Sequence, residues 1–129
     1  MKTTTLVCAS IPALMWASVA LAADTVPAGL DPDKDGTISL AEAQAAGAKV
    51  FASLNKDGDK TLDAKELGDR IDAAGIKAAD SDNDGTIDEK EYAKIVESKF
   101  KAADPDGDGT LDAKELGSPA GQALLKLIQ

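Results

Sequence analysis

The sequence predicts an all-α domain, a compact three-helix bundle carrying four acidic loops at its two ends. Three observations predict it. A twelve-residue acidic pattern recurs four times, starting at residues 31, 55, 80 and 104, a period of 24 or 25. The eighth position of every repeat is apolar: Ile38, Leu62, Ile87 and Leu111. Only about 12 residues separate the end of one repeat from the start of the next. A single helix of about 18 Å must therefore serve two neighbouring loops.

The fourth repeat shows the chemistry most fully. Residues 104–115 read DPDGDGTLDAKE. Oxygen-bearing side chains stand at positions one, three, five, nine and twelve, with Gly109 at the sixth, which is the spacing of an EF-hand loop. A hard cation takes six or more oxygens, and a loop can wrap it only if its ligands alternate. Asp104, Asp106 and Asp108 are expected to point inward in turn, and Thr110 to offer its carbonyl. Asp112 acts directly or through a water, and Glu115 closes the shell with two oxygens. Gly109 lets the backbone take a positive φ without a Cβ clash.

The other three loops follow the same plan. Residues 31–42 offer Asp31, Asp33, Asp35, Thr37, Ser39 and Glu42. Residues 80–91 offer Asp80, Asp82, Asp84, Thr86, Asp88 and Glu91. Residues 55–66 offer Asn55, Asp57, Asp59, Thr61, Asp63 and Glu66, but depart twice. Asn55 replaces the first carboxylate, and Lys60 stands where the turn wants glycine. A left-handed non-glycine residue costs about 1–2 kcal/mol, so this second site is expected to be the weakest.

Composition bounds the rest. The chain has 129 residues, enough for one small domain. Residues 1–22 read as a signal peptide: Lys2, a mostly apolar stretch over residues 6–20, then Ala20-Leu21-Ala22. Cleavage is expected after Ala22, leaving residues 23–129 as a secreted four-loop domain with no membrane anchor. The apolar stretch is too short for a stable span. Cys8 leaves with it, so no disulfide framework remains. The mature chain keeps 13 basic against 23 acidic residues, a net charge of −10, and 18 of the acids fall at loop ligand positions. The acidity is therefore site chemistry, and it excludes nucleic acid as a partner.

Between the loops the helices are legible. Residues 23–30 hold Pro27 and Gly29, leaving room for only a truncated entering helix with Leu30 as its apolar contact. Residues 41–54 read as a helix with Val50, Phe51 and Leu54 on one side. Residues 66–79 read as a short helix weakened by Gly68 and Gly75, with Leu67, Ile71 and Ile76 as core candidates. Residues 89–103 carry the best stripe: Tyr92, Ile95, Val96, Phe100 and Ala103. Ser118-Pro119 marks a helix start, and Leu124, Leu125, Leu127 and Ile128 close the core. Short β contacts between position-eight residues are expected to pair the first loop with the third and the second with the fourth.

The combination resembles the lanmodulin family, periplasmic lanthanide-binding proteins of bacteria with rare-earth-dependent alcohol dehydrogenases. The resemblance covers residues 23–129 and rests on four loops at short spacing, Pro32 and Pro105 after the first Asp, Asp at position nine in three loops, and the closing SPAGQALLKLIQ. It implies selective binding of trivalent lanthanide ions over calcium, folding on metal binding, and buffering or trafficking of the metal. Lys56 and Ser81 depart from it, standing where proline is expected. With the departures in the second loop, they make three strong sites the expected number. Charge helps a trivalent ion, because four or five carboxylates match it better than a divalent one. Three trivalent ions would bring the net charge from −10 to −1, four to +2, and four calcium ions to −2, and each of these relieves the self-repulsion of the empty state.

Other classes fit less well. A periplasmic calcium-binding or buffer protein is the alternative, because calcium is equally hard and of similar size. A calmodulin-like sensor needs a Met-rich groove, and the mature chain has no Met. A dockerin-like module closes its loops with Asp rather than Glu. Enzymatic activity is not expected: there is no His, no mature Cys and no phosphate loop. A monomer is expected, and nothing in the residues identifies a recipient enzyme or uptake system.

Overall fold

The structure is a computed structural model that describes residues 26–129. The expected signal peptide, Cys8 and the cleavage point after Ala22 lie outside the described residues. The described chain is mostly helical. Its elements run β1 (Ile38–Ser39), α1 (Leu40–Leu54), β2 (Thr61–Leu62), α2 (Ala64–Leu67), a 3₁₀ turn (Gly68–Arg70), α3 (Ala73–Ala79), β3 (Ile87–Asp88), α4 (Glu89–Ala103), β4 (Thr110–Leu111), α5 (Ala113–Leu116) and α6 (Pro119–Ile128). No helix among the described residues is long and apolar enough to cross a membrane.

Each helix that leaves a loop starts on two of the loop's candidate ligand residues. Position nine is the N-cap and position twelve is the third helical residue, which together make a capping box. Asp88 Oδ1 accepts the Glu91 N–H at 2.7 Å, and Glu91 Oε2 accepts the Asp88 N–H at 3.1 Å. The same reciprocal pair joins Ser39 with Glu42, Asp63 with Glu66, and Asp112 with Glu115. The carboxylate that would close an ion's shell thus also fixes the direction in which the exit helix departs.

The core is a packing of α1, α4 and α6. The stripe on α4 is buried as its spacing predicts: Tyr92, Ile95, Val96, Phe100 and Ala103. Phe51 of α1 meets the Tyr92 ring edge-to-face, centroids 5.7 Å apart. Gly47 lets α1 approach α4, because a Cβ there would lie 3.0 Å from Val96 Cγ2. Leu124, Leu127 and Ile128 of α6 are buried, and Leu125 packs half-buried against them. Leu30 is buried too, at the end of a turn closed by its N–H on the Pro27 carbonyl.

Two expectations are corrected. The single helix expected between the second and third loops is broken into α2, a 3₁₀ turn and α3. Gly68 ends α2 with φ 54° and ψ −133°, a conformation that favours glycine, and the Asp72 side chain caps a new helix by accepting the Gly75 N–H at 2.7 Å. Loop pairing also differs. The first loop pairs with the fourth, Ile38 opposite Leu111, and the second with the third, Leu62 opposite Ile87. The broken segment explains it. α1 and α4, at 15 residues each, carry their loops to opposite ends, while the collapsed segment keeps the second and third loops at one end. The four position-eight residues that bridge the pairs have no exposure.

Candidate metal centre

All four loops share one backbone trace. Position four and position six both take a positive φ in every loop: Lys34 and Gly36, Gly58 and Lys60, Asn83 and Gly85, Gly107 and Gly109. The demand at position four was not read from the sequence. The glycine missing from position six of the second loop has a counterpart at its position four. Lys60 nonetheless sits at φ 72°, in the region that penalises a side chain.

The first-position carboxylate organises each turn. Asp31 accepts the Asp35 N–H at 3.1 Å on one oxygen and the Gly36 N–H at 3.0 Å on the other. Asp80 does the same for Asp84 and Gly85, at 3.2 and 2.9 Å. Asp104 holds the N–H groups of Gly107 and Gly109, at 2.7 and 3.0 Å. Asn55 has one acceptor oxygen and holds only the Gly58 N–H, at 2.8 Å. Its other terminal group is an NH2, a donor, where aspartate has a second acceptor oxygen.

Position five is turned onto position seven. Asp35, Asp59, Asp84 and Asp108 each accept both the N–H and the hydroxyl of the following Thr37, Thr61, Thr86 and Thr110, at 2.7–2.9 Å. Position three accepts the position-five N–H, as Asp57 does from Asp59 at 3.3 Å. Position nine faces its helix cap in every loop.

Three loops bring three carboxylates together. Ligand oxygens of Asp31, Asp33 and Glu42 lie within 4.8 Å of one another, as do those of Asp80, Asp82 and Glu91, and those of Asp104, Asp106 and Asp108. Among the described residues the second loop forms no such group. Asp31 and Glu91 are buried although charged, at 8 % and 5 % exposure, which costs free energy unless the charge is compensated.

The closing glutamate differs between loops in a way set by position two. In the second and third loops its Oε1 accepts the position-two N–H, from Lys56 at 3.2 Å and from Ser81 at 2.6 Å. Pro32 and Pro105 have no N–H to give. Position two therefore bears on the placement of the closing carboxylate as well as on chain stiffness.

The electrostatics split positions one and three. Burial works to raise the Asp31, Asp80 and Asp104 carboxyls. The Gly36, Gly85 and Gly109 amides outweigh it, aided by other loop donors, and all three stay below the usual aspartate range. Asp33 is raised, first by its pairing with the Asp31 carboxyl and then by desolvation. Asp82 and Asp106 each gain a backbone hydrogen bond that works to lower them. Desolvation and neighbouring carboxylates prevail, and both are raised. Glu115 is raised against its Asp112 hydrogen bond by desolvation and by Asp106, Asp112 and Asp104. In the second loop, Asp59 is held down by the N–H and hydroxyl of Thr61. Carboxylates crowded until their protons bind more tightly are a charge surplus that a cation relieves.

With this geometry in hand, the chain can be set beside known proteins. The family model described as EF hand matches two stretches, residues 71–96 and 98–118. These carry the third and fourth loops with α4 between them. No curated protein matches the chain. EF hands bind divalent or trivalent metal ions, typically calcium, and the fold is typically a non-enzymatic one. The two motifs and the clustered carboxylates support metal-ion binding as the chemistry of these loops.

Proposed function

We propose that this protein selectively binds trivalent lanthanide ions in the periplasm, folding around them, and buffers or moves the metal. The observation that carries the reading is the carboxylate count. The third and fourth loops each place five carboxylates on one twelve-residue wrap, and the first places four. Oxygen ligands alone do not separate lanthanide ions from calcium, but the higher charge is matched better by four or five carboxylates. The resemblance to the lanmodulin family points the same way. Asp31, Asp33, Asp35, Ser39 and Glu42 would hold one ion, with the Thr37 carbonyl. The corresponding residues of the third and fourth loops hold the second and third. Asn55, Asp57, Asp59, Asp63 and Glu66, with the Thr61 carbonyl, form a weaker fourth site.

The energetics favour coupled folding. The ion-free chain is small, Ala-rich and self-repelling, so metal-binding free energy serves as folding free energy. Calcium buffering is the second reading, and the glutamate at position twelve of all four loops, the residue that gives calcium two oxygens in an EF-hand loop, favours it. Isothermal titration of the chain with lanthanum(III) and with calcium(II) separates the two. Three tight lanthanum sites with far weaker calcium support the first reading. Comparable affinities assign the loops to calcium.

A further inference from the structure

We propose that α6 is a coupling helix through which the four loops act as one unit, with Tyr92 and Arg70 as its positioning residues. The proposal rests on the reading that the loops hold ions. α6 has no loop of its own, yet the chain leaving each loop reaches it.

After the fourth loop, Ser118 donates its hydroxyl to the Glu115 carbonyl at 2.6 Å, and the Gln122 amide donates to the Leu116 carbonyl at 2.9 Å. Here α6 lies so close that a Cβ on Gly121 would fall 2.2 Å from the Glu115 carbonyl oxygen. Directly after the third loop's Glu91, Tyr92 donates its buried hydroxyl to the Leu127 carbonyl at 2.6 Å. Four residues after the second loop's Glu66, Arg70 donates to the backbone oxygens of Lys126 and Gln129, both at 2.6 Å. The helix that leaves the first loop packs Gly47 beside Ile128, with an added Cβ 3.8 Å from Ile128 Cγ2.

These contacts give α6 a function that ion ligation alone does not require. Every closing glutamate sits at the start of an exit helix, held by its capping box. Docked α6 fixes the exit helices relative to one another and so holds each glutamate over its loop. An ion that favours the closed loop then favours docked α6, and by reciprocity docked α6 raises affinity at every loop. Neither Tyr92 nor Arg70 offers an atom to an ion in this scheme.

The test uses the full chain with lanthanum(III), which is diamagnetic. The position-six amides of Gly36, Lys60, Gly85 and Gly109 report each loop by NMR, and hydrogen exchange reports α1, α4 and α6 separately. Tyr92→Phe keeps the ring and removes the hydroxyl. Arg70→Gln, at a more exposed position, serves if the first variant folds poorly. The expected result is loss of α6 protection in the ion-loaded protein while α1 and α4 stay protected, with all loops weakened together by about two- to tenfold, the factor that one net hydrogen bond supports. Weakening confined to the nearest loop, or no weakening, overturns the proposal. So does loss of protection in all three helices together, because α6 would then be an ordinary part of one folding unit. Failure of the underlying reading is distinguishable, because the unsubstituted protein would then show no lanthanum response at any loop.

Discussion

Residues 61–68 and 110–117 are the same eight residues, TLDAKELG, in the second and fourth loops. The structure treats the interior of the two copies alike. Each begins with a two-residue strand, caps a four-residue helix with its Asp, returns the Glu to the cap, and buries both leucines. The copies part at their last residue. Gly68 takes φ 54° and ψ −133°, and the chain turns toward α3. Gly117 takes φ −72° and ψ −14°, and the chain passes through the Ser118 cap into α6. They also differ in what precedes them, NKDGDK against DPDGDG. The exit half is a local module fixed by its own eight residues. The two candidate sites differ only in the six residues before it, and the topology is set by the few after it.

Acid should have the largest effect, and it separates the second loop from the other three. Asp33, Asp82, Asp106 and Glu115 are raised, so each takes its proton at a higher pH than an ordinary carboxyl of its kind. Each such proton must leave before an ion binds, so affinity at the first, third and fourth loops falls with pH from that point downward. Lanthanum titrations across the acid range should show this, with proton release on binding. For the ion-free fold the signs divide. Asp31, Asp59, Asp80 and Asp104 are lowered and contribute stability above their unfolded values, lost as pH falls through the folded ones. Tyr92, pushed up to about 12 by burial, contributes stability that is whole below its ordinary value and lost as pH rises through 12.

Asp104→Asn gives the fourth loop the second loop's first ligand. It should weaken that one site by about 10- to 100-fold, the range of a hydrogen bond to a charged group, as read at the Gly109 amide. Gly68→Ala and Gly117→Ala test the ends of the twin octapeptides. The first should cost about 1–3 kcal/mol in thermal unfolding, because its backbone conformation suits glycine. The second should cost less, since its φ is ordinary and its only penalty is the close approach of an added Cβ to backbone oxygens at 3.3–3.4 Å. Lys60→Gly should strengthen the second site by about 1–2 kcal/mol of relieved left-handed strain. No gain there would mean that Asn55 alone limits the loop.

Much of this was legible because the loops announce themselves through spacing. The position-six turn, the α4 stripe and the Ser118-Pro119 start are local signals, and the chain follows them. The break between the second and third loops was half visible. Gly68 and Gly75 marked weakness, but Asp72 was not recognised as a new N-cap, and an unbroken helix implied the wrong loop pairing. The capping boxes were hidden because the same Asp and Glu already had a reading as ion ligands. The contacts of Arg70 and Tyr92 with α6 join residues 35 or more apart in the chain, and no pattern in the sequence encodes them.

The most direct test is a metal-buffered far-UV circular dichroism titration of residues 23–129, with lanthanum(III) and calcium(II) in parallel. The account predicts that helix forms at free lanthanum concentrations many orders of magnitude below the calcium needed for the same change. A stable, fully helical chain without metal, or equal response to both ions, would contradict it.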